Sequence, residues 1–400
     1  PDVLPTGRNF YSVDTRAVPT AIAWDLGQRS AALLVTDYLQ REGAYPQAIT
    51  LSAWGTANMR TGGDDIAQAL ALMGVRPRWE WSSGRVIGFE VISLAELGRP
   101  RVDVTLRISG FFRDAFPEQI DLIDSAARAV MALDEDAADN PAAARHRAET
   151  SALAAAGAVP ADAARRAGAR IFGSKPGAYG AGLQAMIDER LWHDRADLAD
   201  VYLGWGGFAY GAGIAGEAER DLFARRLAAT DAIVQNQDNR EHDLLDSDDY
   251  YQFEGGIAAA VEHLRGTKPL SYHNDHSRPE RPVIRTLDDE IGRVVRARVT
   301  NPKWIAGVMR HGYKGAFEIA ASVDYLFAFA ATTAAVKDHH FDAVYAAFIA
   351  DDSVRAFMAG ANPAALRETA ARLGEALERG LWKPKSNSAG DVLARLAGAA

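Results

Sequence analysis

The sequence predicts an α/β N-terminal part followed by a mainly α-helical domain, so that the protein is mixed α and β overall. Two observations lead to this prediction. About the first 115 residues alternate helix-period segments with short β-rich runs that turn residues separate. From Pro117 onward the chain is rich in alanine, and its apolar residues follow the helical period with few β-branched runs. The 400 residues are enough for two or three domains with a sizeable buried core.

The N-terminal part begins with a helix predicted over residues 17–41, which carry apolar side chains at helical spacing until Gly43 ends the helix. A strand is predicted at about 47–54, and a second helix at 62–72. Further β-rich runs follow at turn-marked intervals, at residues 75–81, 85–91 and 102–108.

The second half is predicted to be mostly helical. Residues 134–169 are dominated by Ala, Arg and Asp and indicate a surface helical hairpin, while a helix at 314–336 is apolar nearly all round and is expected to be buried. The predicted organisation is an α/β domain at 1–132, an Ala-rich helical connector at 133–170, and a mainly helical domain at 171–400 that carries a histidine-rich site. The first residues already have the character of mid-protein sequence, so we expect a fragment of something larger.

The composition excludes several classes of function. The chain has no cysteine, which excludes disulfides, thiolate zinc sites and cysteine nucleophiles, so that metal chemistry must use His, Asp, Glu or carbonyl ligands. A net charge of -9 disfavours binding to nucleic acid, because phosphates would be repelled. No apolar run reaches the roughly 20 residues of a membrane-spanning helix, and no signal peptide is evident, which together fit a cytoplasmic protein.

Histidines cluster in the last third of the chain. Five of the nine lie between residues 273 and 340, where an even distribution would place about 1.5. His273, Asp275 and His276 fall in a segment bounded by two prolines, which predicts an extended loop with His273 and Asp275 on one side and His276 on the other. Two imidazoles and a carboxylate indicate metal or proton chemistry. The alternative is that Asp275 caps a turn while the histidines bond backbone carbonyls.

His339 and His340 follow the predicted buried helix, and a position at its carbonyl end would suit an imidazolium. A helix C-cap is the alternative for at least one of them. Adjacent residues cannot easily share one ion from the same helix face, so only one is expected to face a site. On the preceding helix Glu318, Ser322 and Tyr325 form a polar stripe that must face water, a partner or a cavity.

Two glycine clusters, at residues 173–182 and 204–211, carry interleaved aromatic residues that include Tyr179 and Trp205. Neither cluster contains the Gly-Lys-Ser/Thr of a P-loop, so ATP hydrolysis by this chain is not predicted. Glycine permits close backbone approach, and the aromatic rings offer flat faces to a large planar ligand. Tight turns between packed helices with aromatic residues in the core are an equally good interpretation.

Two further segments carry polar groups. Residues 246–249 with Glu254 resemble an oxygen-ligand cluster for a hard cation, but they lack calcium-loop spacing, and a helix cap with a solvated turn explains most of the pattern. Near the start, Arg8 and Asn9 follow a turn and are suited to holding a carboxylate, with a surface arginine as the alternative.

Together these motifs resemble one family, the large subunits of ATP-dependent cobaltochelatase and magnesium chelatase. The segments that carry the resemblance span almost the whole chain and lie at residues 5–14, 54–63, 109–116, 170–182, 205–211, 272–280, 301–304, 311–315 and 338–345. His-Asn-Asp-His at 273–276 and Asp-His-His at 338–340 resemble the cobalt branch. A His-Gly-x-Leu-Glu-Trp motif that the family carries upstream is absent, so the fragment alone is expected to be inactive.

The resemblance implies insertion of Co²⁺, as substrate metal, into the tetrapyrrole-derived macrocycle hydrogenobyrinic acid a,c-diamide in cobalamin biosynthesis. ATP and Mg²⁺ would be used by a separate AAA+ ATPase subunit, which works with a third subunit of metal-binding type. Our hypothesis is that His273, His276 and one of His339 and His340, with His340 the preferred ligand, deliver the ion or take up protons. Asp275 would orient an imidazole.

The predicted substrate-binding residues are Arg8, Asn9, Tyr179, Trp205, Arg278 and Glu318, of which the two arginines would hold peripheral carboxylates. Three alternatives stay open at this point. They are a magnesium chelatase large subunit that acts on protoporphyrin IX, a noncatalytic scaffold that docks the ATPase, and a stand-alone metallohydrolase.

Overall fold

A computed structural model of the chain describes residues 13–398. Its nine strands are β1 (Ala48–Ala53), β2 (Val75–Trp79), β3 (Val86–Val91), β4 (Asp103–Ile108), β5 (Ile171–Gly173), β6 (Phe208–Gly211), β7 (Ile214–Ala218), β8 (Ala232–Gln237) and β9 (Leu270–Asp275). Seven of them form one sheet in the order β7-β6-β5-β4-β1-β8-β9, while β2 and β3 form a separate antiparallel hairpin. From β5 to β9 the sheet is parallel, and β6 and β7 add an antiparallel edge.

Helices cover both faces of this sheet. The first ten are α1 (Ala21–Glu42), α2 (Gly55–Thr61), α3 (Asp64–Met73), α4 (Leu94–Leu97), α5 (Gly110–Ala115), α6 (Pro117–Met131), α7 (Pro141–Ala155), α8 (Pro160–Ala167), α9 (Leu183–Asp188) and α10 (Arg195–Gly206). The others are α11 (Arg220–Ala228), α12 (Asp248–Tyr250), α13 (Gly256–Arg265), α14 (Leu287–Val294), α15 (Pro302–Met309), α16 (Tyr313–Thr332), α17 (Asp338–Tyr345), α18 (Asp352–Ala361), α19 (Pro363–Glu378) and α20 (Ala389–Ala397).

Four shorter helical segments interrupt or precede these elements. A 3₁₀ turn lies at Thr15–Ala17, and single π-helical turns lie at Tyr251–Gly255, Val295–Val299 and Ala346–Ala350. The π-helical turn at Tyr251–Gly255 joins α12 to α13 and crosses the sheet above β8. Such turns insert one extra residue per turn into a helix and are often found at functional sites.

Local sequence signals explain the N-terminal elements. The hydroxyl of Thr20 accepts a hydrogen bond from the Ala23 N–H and caps α1, which Gly43 ends in a left-handed conformation at φ 72°. Strands β1 and β4 are buried along their whole length, as expected for parallel strands that helices cover on both faces. The predicted helices and strands of the first 115 residues are confirmed, and α2, α4 and α5 are additional short helices.

The predicted fold class is confirmed, but the second half contributes more sheet than expected. Five strands, β5 to β9, come from residues 171–275, which had been predicted to be mostly helical. The chain at 273–275 is accordingly the end of a buried strand rather than a loop. The first and third predicted segments therefore share one sheet, and the division at 1–132, 133–170 and 171–400 stays a prediction.

Two hydrophobic cores lie on opposite faces of the sheet. One packs α1, α3 and α6 against alternate strand residues such as Leu51 and Tyr272, and the other packs α10, α13 and α16 against residues such as Phe172 and Ile233. The connector contains the predicted helical hairpin, formed by α7 and α8. Helix α16 is largely buried as predicted, although Phe317 is 54% exposed. None of the helices that the structure describes combines the length and apolar composition needed to cross a lipid bilayer.

Candidate functional site

The candidate site lies at the carboxyl ends of the parallel strands β4, β1, β8 and β9. The chain leaves β1 toward β4 on one side and later returns to the other side of β1 with β8, so the strand order reverses there. Open α/β sheets commonly bind ligands in the crevice outside such a reversal. Three groups of residues meet at this edge: a histidine–carboxylate pair on each face of β9, and an aromatic pocket.

The first pair is His273 and Glu254. The two side chains are almost completely buried, and His273 Nδ1 lies 2.8 Å from Glu254 Oε2. Burial raises the pKa of Glu254, and the neighbouring imidazole opposes this only in part. Burial alone would lower the pKa of His273, but the Glu254 carboxylate, together with the smaller effects of the Glu290 and Asp243 charges, outweighs burial and raises that pKa above the ordinary value. His273 Nε2 and Glu254 Oε1 have no hydrogen-bond partner within residues 13–398.

His273 belongs to a row of buried polar side chains that crosses the sheet. Ser52 pairs in register with Arg107, Gln235 pairs with His273, and the register between β1 and β8 brings Ser52 beside Gln235. All four side chains point to the face that the π-helical turn carrying Glu254 covers. Each has at least one polar atom without a partner in the described part of the chain. Buried polar atoms are nearly always hydrogen-bonded, so this row is a strong indication of a functional site.

The second pair, His276 and Asp64, lies on the opposite face of the sheet. His276 Nδ1 is 2.7 Å from Asp64 Oδ2, and its Nε2 is 2.7 Å from the hydroxyl of Ser30, which also accepts from Gln68. Both ring nitrogens are therefore engaged. The alternation predicted for residues 273–276 is present, since His273 and His276 point to opposite faces. However, both imidazoles pair with carboxylates, so the alternative of backbone carbonyl partners is wrong.

A neighbouring carboxylate extends the network around His276. Asp65 accepts hydrogen bonds from the side-chain amides of Asn58 and Asn236, each at 2.8 Å. Burial raises the pKa of Asp65 well above its usual range, and the nearby Asp64 charge adds to this effect. Asn274 at the end of β9 donates to Asn236 at 3.1 Å. This face of the sheet thus holds an extended buried polar network behind His276.

Asp275 does not orient an imidazole as hypothesised. It accepts hydrogen bonds from the backbone N–H and the hydroxyl of Ser277, and it forms ion pairs with Arg240 and Arg285. Burial raises its pKa, but the Ser277 hydrogen bonds and the two arginines reverse this and keep the pKa of Asp275 below the ordinary value. The physical reason for the error is distance, because Glu254 and Asp64 reach the two imidazoles and Asp275 points to the strand end.

An aromatic pocket of about 210 Å³ opens beside these pairs, at the ends of β1 and β4. Its walls are Trp54, Gly55, Thr56, Ser109, Gly110, Phe111, Tyr179, Gly180, Asp249 and Phe253. Trp54 contacts Tyr250 with ring centroids 4.9 Å apart, and Tyr250 lies 5.3 Å from the His273 ring. A continuous run of rings therefore leads from the pocket to His273.

Tyr179, predicted to bind substrate, lines this pocket. It is 59% exposed, its hydroxyl donates to Asp114 at 2.6 Å, and the Arg113 guanidinium lies over its ring at 5.4 Å. A side chain at Gly110 would come within 2.6 Å of the Tyr179 ring, which explains the glycine there. Trp205 packs beside Gly182 and is 40% exposed, but it is not part of the pocket wall.

Glu318 and Arg278, two further predicted substrate-binding residues, lie away from the pocket. Glu318 is 3.9 Å from Lys314 along α16, and Arg278 is exposed on the loop after β9. Arg8 and Asn9 lie outside the described residues. The acidic segment 246–249 behaves as the helix cap that was the alternative to a cation site, because the Ser247 hydroxyl accepts from the Asp249 N–H at 3.3 Å.

The prediction that His339 and His340 lie at a helix C-terminus is wrong. Helix α16 ends earlier, at Thr332, and both histidines lie in the first turn of α17. His340 Nδ1 accepts from the Lys337 N–H at 3.1 Å, an interaction that requires the neutral imidazole. Burial, followed by the His339, Arg296 and Lys337 charges, lowers the pKa of His340 to about 4. An imidazolium is disfavoured there because a helix N-terminus repels positive charge.

The structure does not assemble the three predicted metal ligands around one point. Among the described residues, no group of three or more His, Asp or Glu side chains is arranged to hold an ion. His273 and His276 point to opposite faces of the sheet, and His340 lies on helix α17. Any metal role for His273, His276 or His340 therefore stays a prediction for each residue separately.

Sequence reasoning did not identify the carboxylates that hold the two histidines. Glu254 was noted only as part of an acidic segment, and Asp64 looks like an ordinary acidic residue in a first helical turn. Trp54 was noted only within a family segment, and Ser30 gave no signal. Asp64 and His276 are 212 positions apart, so only the parallel pairing of β1, β8 and β9 brings them together.

Comparison with known proteins identifies the family of the chain. The sequence profile described as CobN/Magnesium Chelatase matches residues 1–389. The aerobic cobaltochelatase subunit CobN of Sinorhizobium sp is 68% identical over 400 residues, covering 100% of this chain and 31% of that protein. The subunit of the same name from Pseudomonas aeruginosa is 60% identical over 382 residues, covering 96% of this chain and 31% of that protein.

A solved structure described as the catalytic subunit of cobaltochelatase from Mycobacterium tuberculosis is similar with a TM-score of 0.95 and 49% identity. It covers 99% of this chain and 33% of that chain. The chain thus spans about a third of the length of the relatives it matches. With this coverage and the common fold, the chain belongs to the CobN/magnesium chelatase family.

Proposed function

We propose that the chain is part of the macrocycle-binding large subunit of a cobaltochelatase, which inserts Co²⁺ into hydrogenobyrinic acid a,c-diamide in cobalamin biosynthesis. The observation that carries the proposal is the environment of His273. Its Nδ1 is held by Glu254, its Nε2 has no partner within residues 13–398, and a run of rings connects it to the aromatic pocket. The names of the Sinorhizobium and Pseudomonas relatives support cobalt as the metal.

Metal insertion needs a base and a weak metal ligand at one place, because the macrocycle loses inner N–H protons while the ion sheds water. An imidazole serves both purposes, and it binds Co²⁺ better than Mg²⁺. A carboxylate on the far ring nitrogen fixes the tautomer and orientation of such an imidazole and increases its basicity. His273 with Glu254 fits this role through Nε2.

His276 fits a different role. Both of its ring nitrogens are engaged, by Asp64 and Ser30, so it has no nitrogen ready for an ion. We propose that it takes up or relays protons through the buried network and keeps the end of β9 in place. One of His339 and His340 is proposed to deliver the ion, and His340 is the preferred ligand because its lowered pKa leaves the imidazole neutral near pH 7 and therefore able to bind a metal ion.

The aromatic pocket is proposed to hold one edge of the macrocycle. Flat rings of Trp54, Tyr179 and Phe253 suit a planar ligand, but 210 Å³ is below the roughly 300–1,000 Å³ of typical ligand pockets. Residues beyond this chain would complete the cleft, in keeping with the greater length of the relatives. Arg8, Asn9, Trp205, Arg278 and Glu318 remain proposed contacts to the outer parts of the macrocycle.

ATP hydrolysis is assigned to a partner. The sequence contains no P-loop, which supports a separate AAA+ ATPase subunit that uses ATP and Mg²⁺, together with a third subunit of metal-binding type. The proposal therefore concerns a subunit of an enzyme that is complete only with its partners.

Replacement of His273 by Ala in the full-length protein tests the assignment. Cobalt insertion, followed by the absorbance of the macrocycle in the presence of both partner subunits, is expected to fall by about 100-fold or more, while macrocycle binding is kept. His193→Ala is the matched control, because that histidine is 97% exposed and pairs only with Asp197. A His273→Ala variant that inserts cobalt at the wild-type rate would contradict the assignment.

Ligand titration separates the competing functions. Tighter binding of hydrogenobyrinic acid a,c-diamide than of protoporphyrin IX is expected for a cobaltochelatase, and the reverse order would indicate a magnesium chelatase. Binding of the ATPase without any tetrapyrrole would indicate a scaffold instead.

A further inference from the structure

Among residues 13–398, one almost completely buried arginine has no carboxylate partner. Four arginines are almost completely buried, at 1% exposure or less, and three of them pair with a carboxylate. Arg101 pairs with Glu135, Arg170 with Asp103, and Arg226 with Glu149. The fourth is Arg107 on β4, whose Nη1 donates to the backbone carbonyl of Ile108, whose guanidinium carbon lies 5.5 Å from the centroid of the Tyr202 ring, and which has no carboxylate partner within residues 13–398.

The free atoms of Arg107 are the two that would bind a carboxylate side-on. Nε and Nη2 have no partner in the described part of the chain. The same two nitrogens of Arg101 donate to the two oxygens of Glu135 at 2.7 and 2.9 Å, and those of Arg170 donate to Asp103 at 2.5 and 3.2 Å. The guanidinium fork matches a carboxylate in this geometry. Arg107 therefore has both donors of a bidentate carboxylate contact available, with no acceptor for them among the described residues.

Arg107 lies directly behind the aromatic pocket. Its guanidinium carbon is 4.9 Å from the centroid of the Phe253 ring, and Phe253 forms part of the pocket wall. Ser109, two residues further along the chain from Arg107, lines the same pocket. The Phe253 ring therefore contacts both the pocket and the guanidinium, and its face forms a cation–π contact with Arg107.

We propose that Arg107 binds a peripheral carboxylate of the macrocycle through Nε–H and Nη2–H when Phe253 turns aside. This proposal rests on the proposed function, because the macrocycle is the carboxylated planar ligand that the pocket would take. A buried, bidentate contact of this kind selects for a carboxylate over an ester or amide at that position. Arg107 is then a determinant of substrate specificity rather than a contact to the reacting nitrogens.

The first test uses binding by the full-length protein. Hydrogenobyrinic acid a,c-diamide and its fully methyl-esterified form are titrated into the wild type and into Arg107→Gln, with circular dichroism to confirm the fold. We expect Arg107→Gln to raise the Kd of the acid about 10- to 100-fold and esterification to weaken the wild type by a similar factor. Esterification should then weaken binding less in the variant than in the wild type, because the variant has already lost the contact that Arg107 makes, while contacts of other residues to the remaining carboxylates are lost in both proteins. Equal binding of the acid by wild type and variant would overturn the Arg107 proposal alone. If the wild type did not bind the macrocycle at all, both the Arg107 proposal and the proposed function would be wrong.

The second test distinguishes a carboxylate of the ligand from a carboxylate supplied by the rest of the protein. Thermal unfolding of the ligand-free full-length protein is compared for Arg107→Met and Arg101→Met. If the partner of Arg107 is a ligand, Arg107→Met removes an uncompensated buried charge and leaves the Tm unchanged or higher. Arg101→Met leaves Glu135 without its arginine partner and should therefore lower the Tm by about 5 °C or more. A comparable loss in Arg107→Met would identify an internal carboxylate partner and overturn the proposal.

Discussion

Replacement of Glu254 by Gln isolates the contribution of the carboxylate that holds His273. The variant keeps the size of the side chain and can still accept a hydrogen bond from His273 Nδ1–H, but it removes the negative charge. Hydrogen bonds to charged groups contribute about 1.5–3 kcal/mol, and those between neutral groups about 1 kcal/mol. Because the two side chains are at most 1% exposed, water does not screen this difference. We therefore expect Glu254→Gln to lower the free energy of unfolding by about 1–2 kcal/mol near pH 7.

The pH dependence of this loss has a definite sign. Glu254 raises the pKa of His273, so the stabilisation of the imidazolium is fully present below the unfolded pKa of about 6.5 and is lost as the pH rises through the folded pKa. In Glu254→Gln a protonated His273 would be buried without a counter-charge. The difference in unfolding free energy between wild type and variant should consequently grow as the pH falls from 8 to about 5.5.

Urea unfolding monitored by tryptophan fluorescence, repeated across that pH range, measures the difference. Asp197→Asn is the matched control, because it alters a histidine–carboxylate pair whose histidine is 97% exposed, and its effect should be much smaller. A Glu254→Gln effect that is independent of pH, or as small as that of the control, would refute an ionic His273–Glu254 pair.

Three further predictions concern stability. Asp103→Asn should lower the free energy of unfolding, measured with urea, by about 3–5 kcal/mol, because it leaves the buried Arg170 without its carboxylate partner. The difference in unfolding free energy between wild type and variant should shrink as the pH falls toward the lowered pKa of Asp103. Gly255→Ala would place a Cβ in steric overlap with the hydroxyl of Thr332 and should lower the free energy of unfolding by about 1–3 kcal/mol, whereas Gly360→Ala, with open space around it, should not destabilise the protein. His340 has its pKa lowered to about 4, so acidification from pH 6.5 to 4 should remove about 2 kcal/mol of stability that a His340→Asn variant does not lose.

The elements that sequence reasoning identified are those with complete local signals. Helix α1 has a Thr20 cap, apolar residues at helical spacing and a terminating Gly43, and each signal acts within a few residues. The strands that it missed lack such signals. Strand β5 has three residues, and β6 lies within a glycine cluster that resembles a turn. Strand β8 begins with Ala232 and Ile233 but ends in three polar residues, because the carboxyl end of the strand belongs to the candidate site.

The candidate site was located from sequence only in part, for a related reason. The density of histidine and carboxylate at 273–276 marked the correct strand end, and the period of two for extended chain placed His273 and His276 on opposite sides. Their partners could not be derived in the same way. Glu254 and Asp64 come from a π-helical turn and from the start of α3, and the sheet register determines which carboxylate meets which imidazole.

This separation of faces changes what the histidine cluster can do. Two imidazoles three residues apart on a strand cannot converge on one ion, so the cluster consists of two independent histidine–carboxylate pairs rather than one metal site. In the pair on the α3 face both nitrogens of His276 are engaged, which suits positioning and proton uptake. In the pair beneath the π-helical turn His273 keeps one nitrogen free within the described structure, beside the rings that lead to the pocket. Of these two histidines, only His273 has a ring nitrogen without a partner among the described residues, so direct contact with a metal ion is proposed for His273, and the effects of substituting the two histidines should differ in kind.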